Sequence, residues 1–260
     1  MSKIHNTAII GENCIIGNNV EIGAYSIIND GVKIGNETVI HPFVHISGNT
    51  DIGKENTFFQ FCSIGSPPQD LKFSGEKSFL TIGDSNTFRE GCTVNPGTEG
   101  GGLNTEVGDN SLFMTGAHIA HDCKVGNNTV FANQATLGGH VVVDDNAILG
   151  GLCAVHQFCR IGKLAMIGGL SAVHNDVIPY GLVTGNGAKL DGINLIGLKR
   201  SGCSSDDIKY FLKIINLIFS SNSIEAKSIE FKDSSNQLVK DVCTFIEGNS
   251  KRGLCQYAKK

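Results

Sequence analysis

Tryptophan is absent from this chain, and no CxxC pair occurs among its nine cysteines. With no paired spacing and an odd count, the cysteines signal neither a zinc ribbon nor a complete disulfide framework. Long apolar runs are missing as well. No stretch approaches the roughly 18 apolar residues of a membrane span. The opening MSKIHNTAII has neither the basic nor the continuous apolar region of a secretion signal. Both absences lead to the expectation of a cytoplasmic protein without a transmembrane segment. Nor is there an excess of positive charge: the formal net charge is -4 and the pI is near 6.0. Nucleic acid and anionic membranes are therefore not expected partners, and an acidic partner would have to be met by a local patch.

What the sequence has in abundance is a period of six. From Ile4 to Ile64 every sixth residue is apolar, through Ile10, Ile16, Ile22 and onward to Phe58. The frame resumes at Ile82, Phe88 and Val94, and again from Val107 without a break to Val173. A helix needs apolar residues three and four apart, and an antiparallel meander needs longer strands, so a strict six fits neither. One short strand and one corner per hexad does fit. Residues i and i−2 of a strand share a face, so the marking residue and the small residue two before it both point inward. Cys14, Cys62, Cys92, Cys123, Cys153 and Cys159 occupy that second position, as do Ala117, Ala135 and Ala165. They are expected as small buried side chains in a reducing compartment. Three hexads close a coil, and stacked coils pair as parallel strands, which makes a parallel β-helix over residues 1–178.

Residues 66–81 and 96–106 carry Pro, Gly and charge where the frame demands apolar residues, and are expected as ejected loops. Beyond Pro179 the pattern becomes helical. Ser205 followed by two aspartates reads as a helix start, and a second helical stretch is expected near 235–247. Residues 179–260 thus form a linker and a small helical domain that covers one end of the coil.

All eight histidines lie off the inward positions. Counted modulo 18, His118, His121, His140, His156 and His174 fall within a few residues of one another, on the outside of one edge. Asp122 follows His121, as a carboxylate that orients a general base should. An imidazole with its ordinary pKa of about 6.5 can take a proton from a hydroxyl near neutral pH. Gly139 lies one coil above His121, where a backbone N–H without a side chain can approach an oxyanion. Zinc held by several imidazoles is the competing reading.

The runs AHIAHDC, LGGH, AVHQF, QDLK and GLKR, together with the two loops and the helical tail, resemble the UDP-N-acetylglucosamine O-acyltransferase family. The resemblance spans essentially the whole chain. It implies an all-β left-handed parallel β-helix with a C-terminal α-helical domain, assembled as a homotrimer with sites between subunits. It further implies transfer of an (R)-3-hydroxyacyl chain from acyl carrier protein to the 3-hydroxyl of UDP-N-acetylglucosamine, the first step of lipid A synthesis, without metal or cofactor. Carried over by position, His121 is the base, Asp122 its orienting partner and Gly139 the oxyanion donor. Gln69, Asp70, Lys72, His118, His140, His156 and Gln157 are expected to bind substrate. Asn194 and Arg200 match nucleotide-binding positions, and Gly169 matches the position that sets acyl length. His174 receives no role.

Ile196 and Ser201 replace a common Glu and Arg, and Gly187 and Pro96 replace a common His and Arg, which leaves the uridine contacts and the chain length open. Lys199, Arg200, Lys209 and Lys213 could meet an acidic carrier protein or form an ordinary solvated face. A later acyltransferase of the same pathway carries an extra N-terminal domain, for which hexads beginning at Ile4 leave no room. A γ-type carbonic anhydrase requires zinc histidines five apart, whereas His118 and His121 are three apart. A non-catalytic solenoid would present a regular outward ladder, which is not seen.

Overall fold

The computed structural model describes residues 2–258, and it turns the six-residue period into three flat walls. Strand Lys3–Ile4 pairs in parallel with Glu21–Ile22, one coil later, and the same step recurs up the solenoid. The first sheet has 11 strands, the second 9 and the third 8, visited in that order by each coil. Every pairing is parallel until strand Gly181–Thr184 folds back antiparallel on Lys189–Ile193. The coil is left-handed, against the usual preference for right-handed parallel crossovers. Each corner needs a residue in left-handed backbone, and non-glycine side chains fill most of these places, at a cost of roughly 1–2 kcal/mol each.

From Ile22 onward all the frame residues are buried, whereas Ile4 is 46% exposed because no coil lies beneath it. Phe58, Phe88, Phe113 and Phe131 stack through the interior at 4.9, 4.5 and 4.9 Å between ring centres. The frame cysteines above the first coil are buried, Cys14 is half-buried, and all nine thiols are free.

The ejected loops are shorter than expected. Chain re-enters the frame through the four-residue strands Phe79–Ile82 and Asn104–Val107, in which Leu80 and Thr105 already point inward. The loops therefore end at residues 78 and 103, the second containing a 3-10 turn at Glu99–Gly101. Both leave the coil between the second and third sheets. Residues 120–123, 138–141 and 156–159 turn the same corner higher up, so the loops and the histidine column share one edge.

The first sheet runs on to Ile193, so the division expected at 178 falls inside that sheet. Helices α1 (Leu195–Arg200), α2 (Ser205–Phe219), α3 (Ile224–Ile229) and α4 (Gln237–Glu247) follow. Helices α1 and α3 were not legible, being too short to show a period. Helix α2 is capped one residue earlier than expected, because the Ser204 hydroxyl accepts from Asp207 N at 3.0 Å. The helices lock onto the solenoid through Tyr180, which donates to Asp241 and packs edge-on against Phe211. Arg160 adds a second link: it pairs with buried Asp176 at 2.7 Å and lies 4.2 Å over the Phe245 ring.

Candidate active site

Asp122, His140 and Phe158 occupy the left-handed place of the same corner in successive coils, with φ of 59°, 61° and 66°. That backbone turns each side chain out of the core and stacks it on the next. His140 lies parallel to Phe158 at 4.3 Å and edge-on to His121 at 5.0 Å. His118, on the adjacent strand of the second sheet, bonds Thr93 Oγ1 through Nδ1 at 2.7 Å. Burial, and then the neighbouring His121, lowers the pKa of His118 below the ordinary histidine value. Burial likewise lowers that of His140, opposed in part by Asp122.

His121 lies off the core at the edge where counting places it, yet it is only 5% exposed. Its Nδ1 bonds Asp122 Oδ2 at 2.8 Å, which leaves Nε2 for another partner. The corner above closes on that nitrogen: a Cβ on Gly139 would stand 2.5 Å from Nε2 and 2.4 Å from Cε1. Flanking Gly138 and His140 spend their N–H groups on the ladder, while Gly139 donates to no backbone acceptor among the described residues.

The second loop holds Asp122 from the other side. Thr98 donates to both carboxylate oxygens, through N to Oδ1 at 2.8 Å and through Oγ1 to Oδ2 at 2.6 Å. Asp122 N donates to Thr105 Oγ1 at 2.8 Å, and the loop backbone at Gly101 lies directly on the carboxylate. Hexad counting missed Thr98 and Thr105, because a Gly-rich run off the frame signals only a loop. Replacing Thr98 by valine removes one charge-assisted bond at nearly constant volume. We expect kcat to fall about tenfold with both KM values unchanged and with recovery in Thr98→Ser. Steady-state kinetics of the two variants checks this, and a loss not recovered by serine would make the threonine merely structural.

Among the described residues, His121, Asp122 and His140 are the one trio close enough to share a metal ion. Ligands of a tetrahedral zinc stand roughly 3.3 Å apart, given bonds of about 2.0 Å. The 2.8 Å between Nδ1 and Oδ2 is instead a hydrogen-bond distance, and Thr98 already engages both oxygens. The trio fits a hydrogen-bonded dyad better than a metal centre.

The other expected residues divide between edges. His156 and Gln157 lie at the same corner higher up, and His156 meets His174 edge-on at 5.9 Å. Asp70 on the first loop is near enough for its charge to act on His140, while Gln69 and Lys72 are exposed. Gly169 lies at the corner between the first and second sheets, at the opposite margin of the second sheet from His121. Asn194 and Arg200 lie beyond the third corner, in a groove lined also by Asn128, Asn146 and Met166. The Asn194 side chain caps α1 by accepting from Gly197 N at 2.9 Å, and its amide donates to Leu164 O. One chain therefore does not bring Asn194 and Arg200 to the histidines.

The sequence is 51% identical to the acyl-(acyl-carrier-protein)–UDP-N-acetylglucosamine O-acyltransferase of Rickettsia canadensis over 261 residues, 99% of both chains. The chain belongs to the UDP-N-acetylglucosamine O-acyltransferase family. The Rickettsia rickettsii member is 54% identical, with the same coverage. The solved LpxA of Acinetobacter baumannii superposes with a TM-score of 0.95 at 39% identity, over 98% of this chain and 100% of that one. The Arabidopsis acyltransferase of the family gives 0.85 at 34%, over 97% and 100%. The model described as UDP N-acetylglucosamine O-acyltransferase, domain 2, matches residues 176–255, and the bacterial transferase hexapeptide model matches 104–139.

Proposed function

We propose that this chain is an acyltransferase that moves an (R)-3-hydroxyacyl chain from acyl carrier protein to the 3-hydroxyl of UDP-N-acetylglucosamine, the first step of lipid A biosynthesis. The observation that carries the chemistry is the His121–Asp122 dyad packed against side-chain-free Gly139. His121 Nε2 takes the hydroxyl proton as the sugar oxygen attacks the thioester carbonyl. Asp122 holds Nδ1–H and balances the imidazolium, and the Gly139 N–H meets the developing oxyanion. Collapse breaks the C–S bond, and the imidazolium returns its proton to the leaving thiolate.

The protein works in the cytoplasm as a homotrimer. Support for the assembly comes from the outward side chains. Above the first two coils the parallel strands of the first and second sheets present Val39, Leu112, Val130, Thr136 and Ala154, and no Asp, Glu, Lys or Arg until the closing antiparallel strand Lys189–Ile193. The third sheet presents Lys33, Asp51, Glu106 and Lys124. The corner between these two sheets carries exposed apolar side chains, Tyr25, Phe43 and Phe61 in the lower coils and Leu152 and Leu170 in the upper ones, all at least half exposed, with the Arg89–Glu90 pair between the two groups. Three such corners meeting on an axis would lay the first sheet of one subunit on the second sheet of the next. Asn194 and Arg200 would then stand beside a neighbour's histidine column, which reconciles their separation within one chain.

Mass spectrometry of the product from UDP-N-acetylglucosamine and a set of hydroxyacyl carrier proteins tests the reaction. We expect one ester-linked hydroxyacyl group added to the nucleotide sugar, with one chain length preferred. Absence of any acylated sugar with every donor would sink the proposal.

A further inference from the structure

The C-terminal segment returns to the solenoid and brings two cations that the hexad pattern does not contain. Asp176 N donates to Gly253 O at 2.8 Å, and Cys255 N donates to Asp176 O at 2.8 Å. The Asn175 amide donates to the Arg252 carbonyl at 2.7 Å, and Arg252 Nε donates to the Gln157 carbonyl at 2.7 Å. These bonds fix residues 251 and 252 at the upper end of the histidine edge. Lys251 Nζ lies 4.5 Å from the centre of the Phe158 ring, one face of which is covered by His140. Lys251 is exposed, and neither it nor Arg252 is ion-paired to a carboxylate among the described residues. A lysine and an arginine side by side against an aromatic ring suit a phosphate.

Distance selects which phosphate. Steps of 5.0, 4.3 and 4.5 Å lead from the His121 ring through His140 and Phe158 to the Lys251 ammonium. In the acyl-carrier-protein reaction proposed above, on which this inference rests, the donor thioester hangs on a pantetheine arm that ends in a phosphodiester. That arm has the length of about four extended residues, roughly 14 Å, and the steps of the column, followed end to end, reach no further than that. The acceptor's diphosphate is attached to carbon 1 of the sugar, only a few bonds from the 3-hydroxyl, and falls well short. We propose that Lys251 and Arg252 form a phosphate subsite that holds the phosphodiester of the donor arm while its thioester lies at His121 and Gly139.

Lys251→Met keeps the aliphatic stem over Phe158 and removes the charge. With hydroxyacyl carrier protein, its KM for the donor is expected to rise about tenfold, while kcat and the KM for UDP-N-acetylglucosamine stay unchanged. With the acyl pantetheine thioester, which lacks the phosphate, variant and wild type should be equal. An unchanged donor KM overturns the proposal, as does an equal loss with the phosphate-free donor. A rise confined to UDP-N-acetylglucosamine also overturns it, by moving the charge to the acceptor. Wild-type rates measured alongside separate the two levels: no transfer by the wild type sinks the reaction itself.

Discussion

Replacing His121 by alanine is expected to lower kcat by about three to four orders of magnitude while the protein stays folded. His121 Nε2 faces the gap beneath Gly139, and in the mechanism proposed above it takes the hydroxyl proton, so the variant leaves that step without its base. The fold should survive because His121 lies off the inward frame, and each coil is held mainly by its neighbours. Asp122 would lose one partner but keep both bonds from Thr98, which limits the destabilisation to about 1–3 kcal/mol. Product formation measured beside a thermal unfolding curve checks both halves. Retention of more than a tenth of the activity would rule out His121 as the base.

Gly139→Ala is expected to be nearly as damaging, by about two to three orders of magnitude in kcat. Backbone freedom is not the reason, since Gly139 is not in left-handed backbone. Space is the reason. The added Cβ would lie 2.4 Å from His121 Cε1, so the ring must swing out and strain its bond to Asp122. The N–H proposed to meet the oxyanion would move as well. The variant's kinetics against its melting temperature provide the check, and an active Gly139→Ala would show that the imidazole can work from another position.

The fold was legible because a coiled chain converts sequence spacing into spatial contact. Residues 18 apart are stacked, so a count modulo 18 located Gly139 over His121 and gathered five histidines at one edge. The same count could not foresee that His121 would be covered. The periodic neighbour Gly139 closes it from above, but the second loop that folds against the dyad follows no period, with Thr98 reaching Asp122 across 24 residues; higher on the same edge Arg252 reaches Gln157 across 95. Helices α1 and α3 escaped for a related reason, each being only six residues long.

By itself the sequence determined the solenoid, its phase and the places where it breaks, because a six-residue period buries its apolar positions only in such a coil, and it set His121 beside Asp122 one coil below Gly139. Only the tertiary structure decided how that dyad is held. The second loop folding onto Asp122 and the tail returning beside Phe158 follow from where off-frame chain finds hydrogen-bond partners, and that depends on surfaces that exist only once the coil has formed.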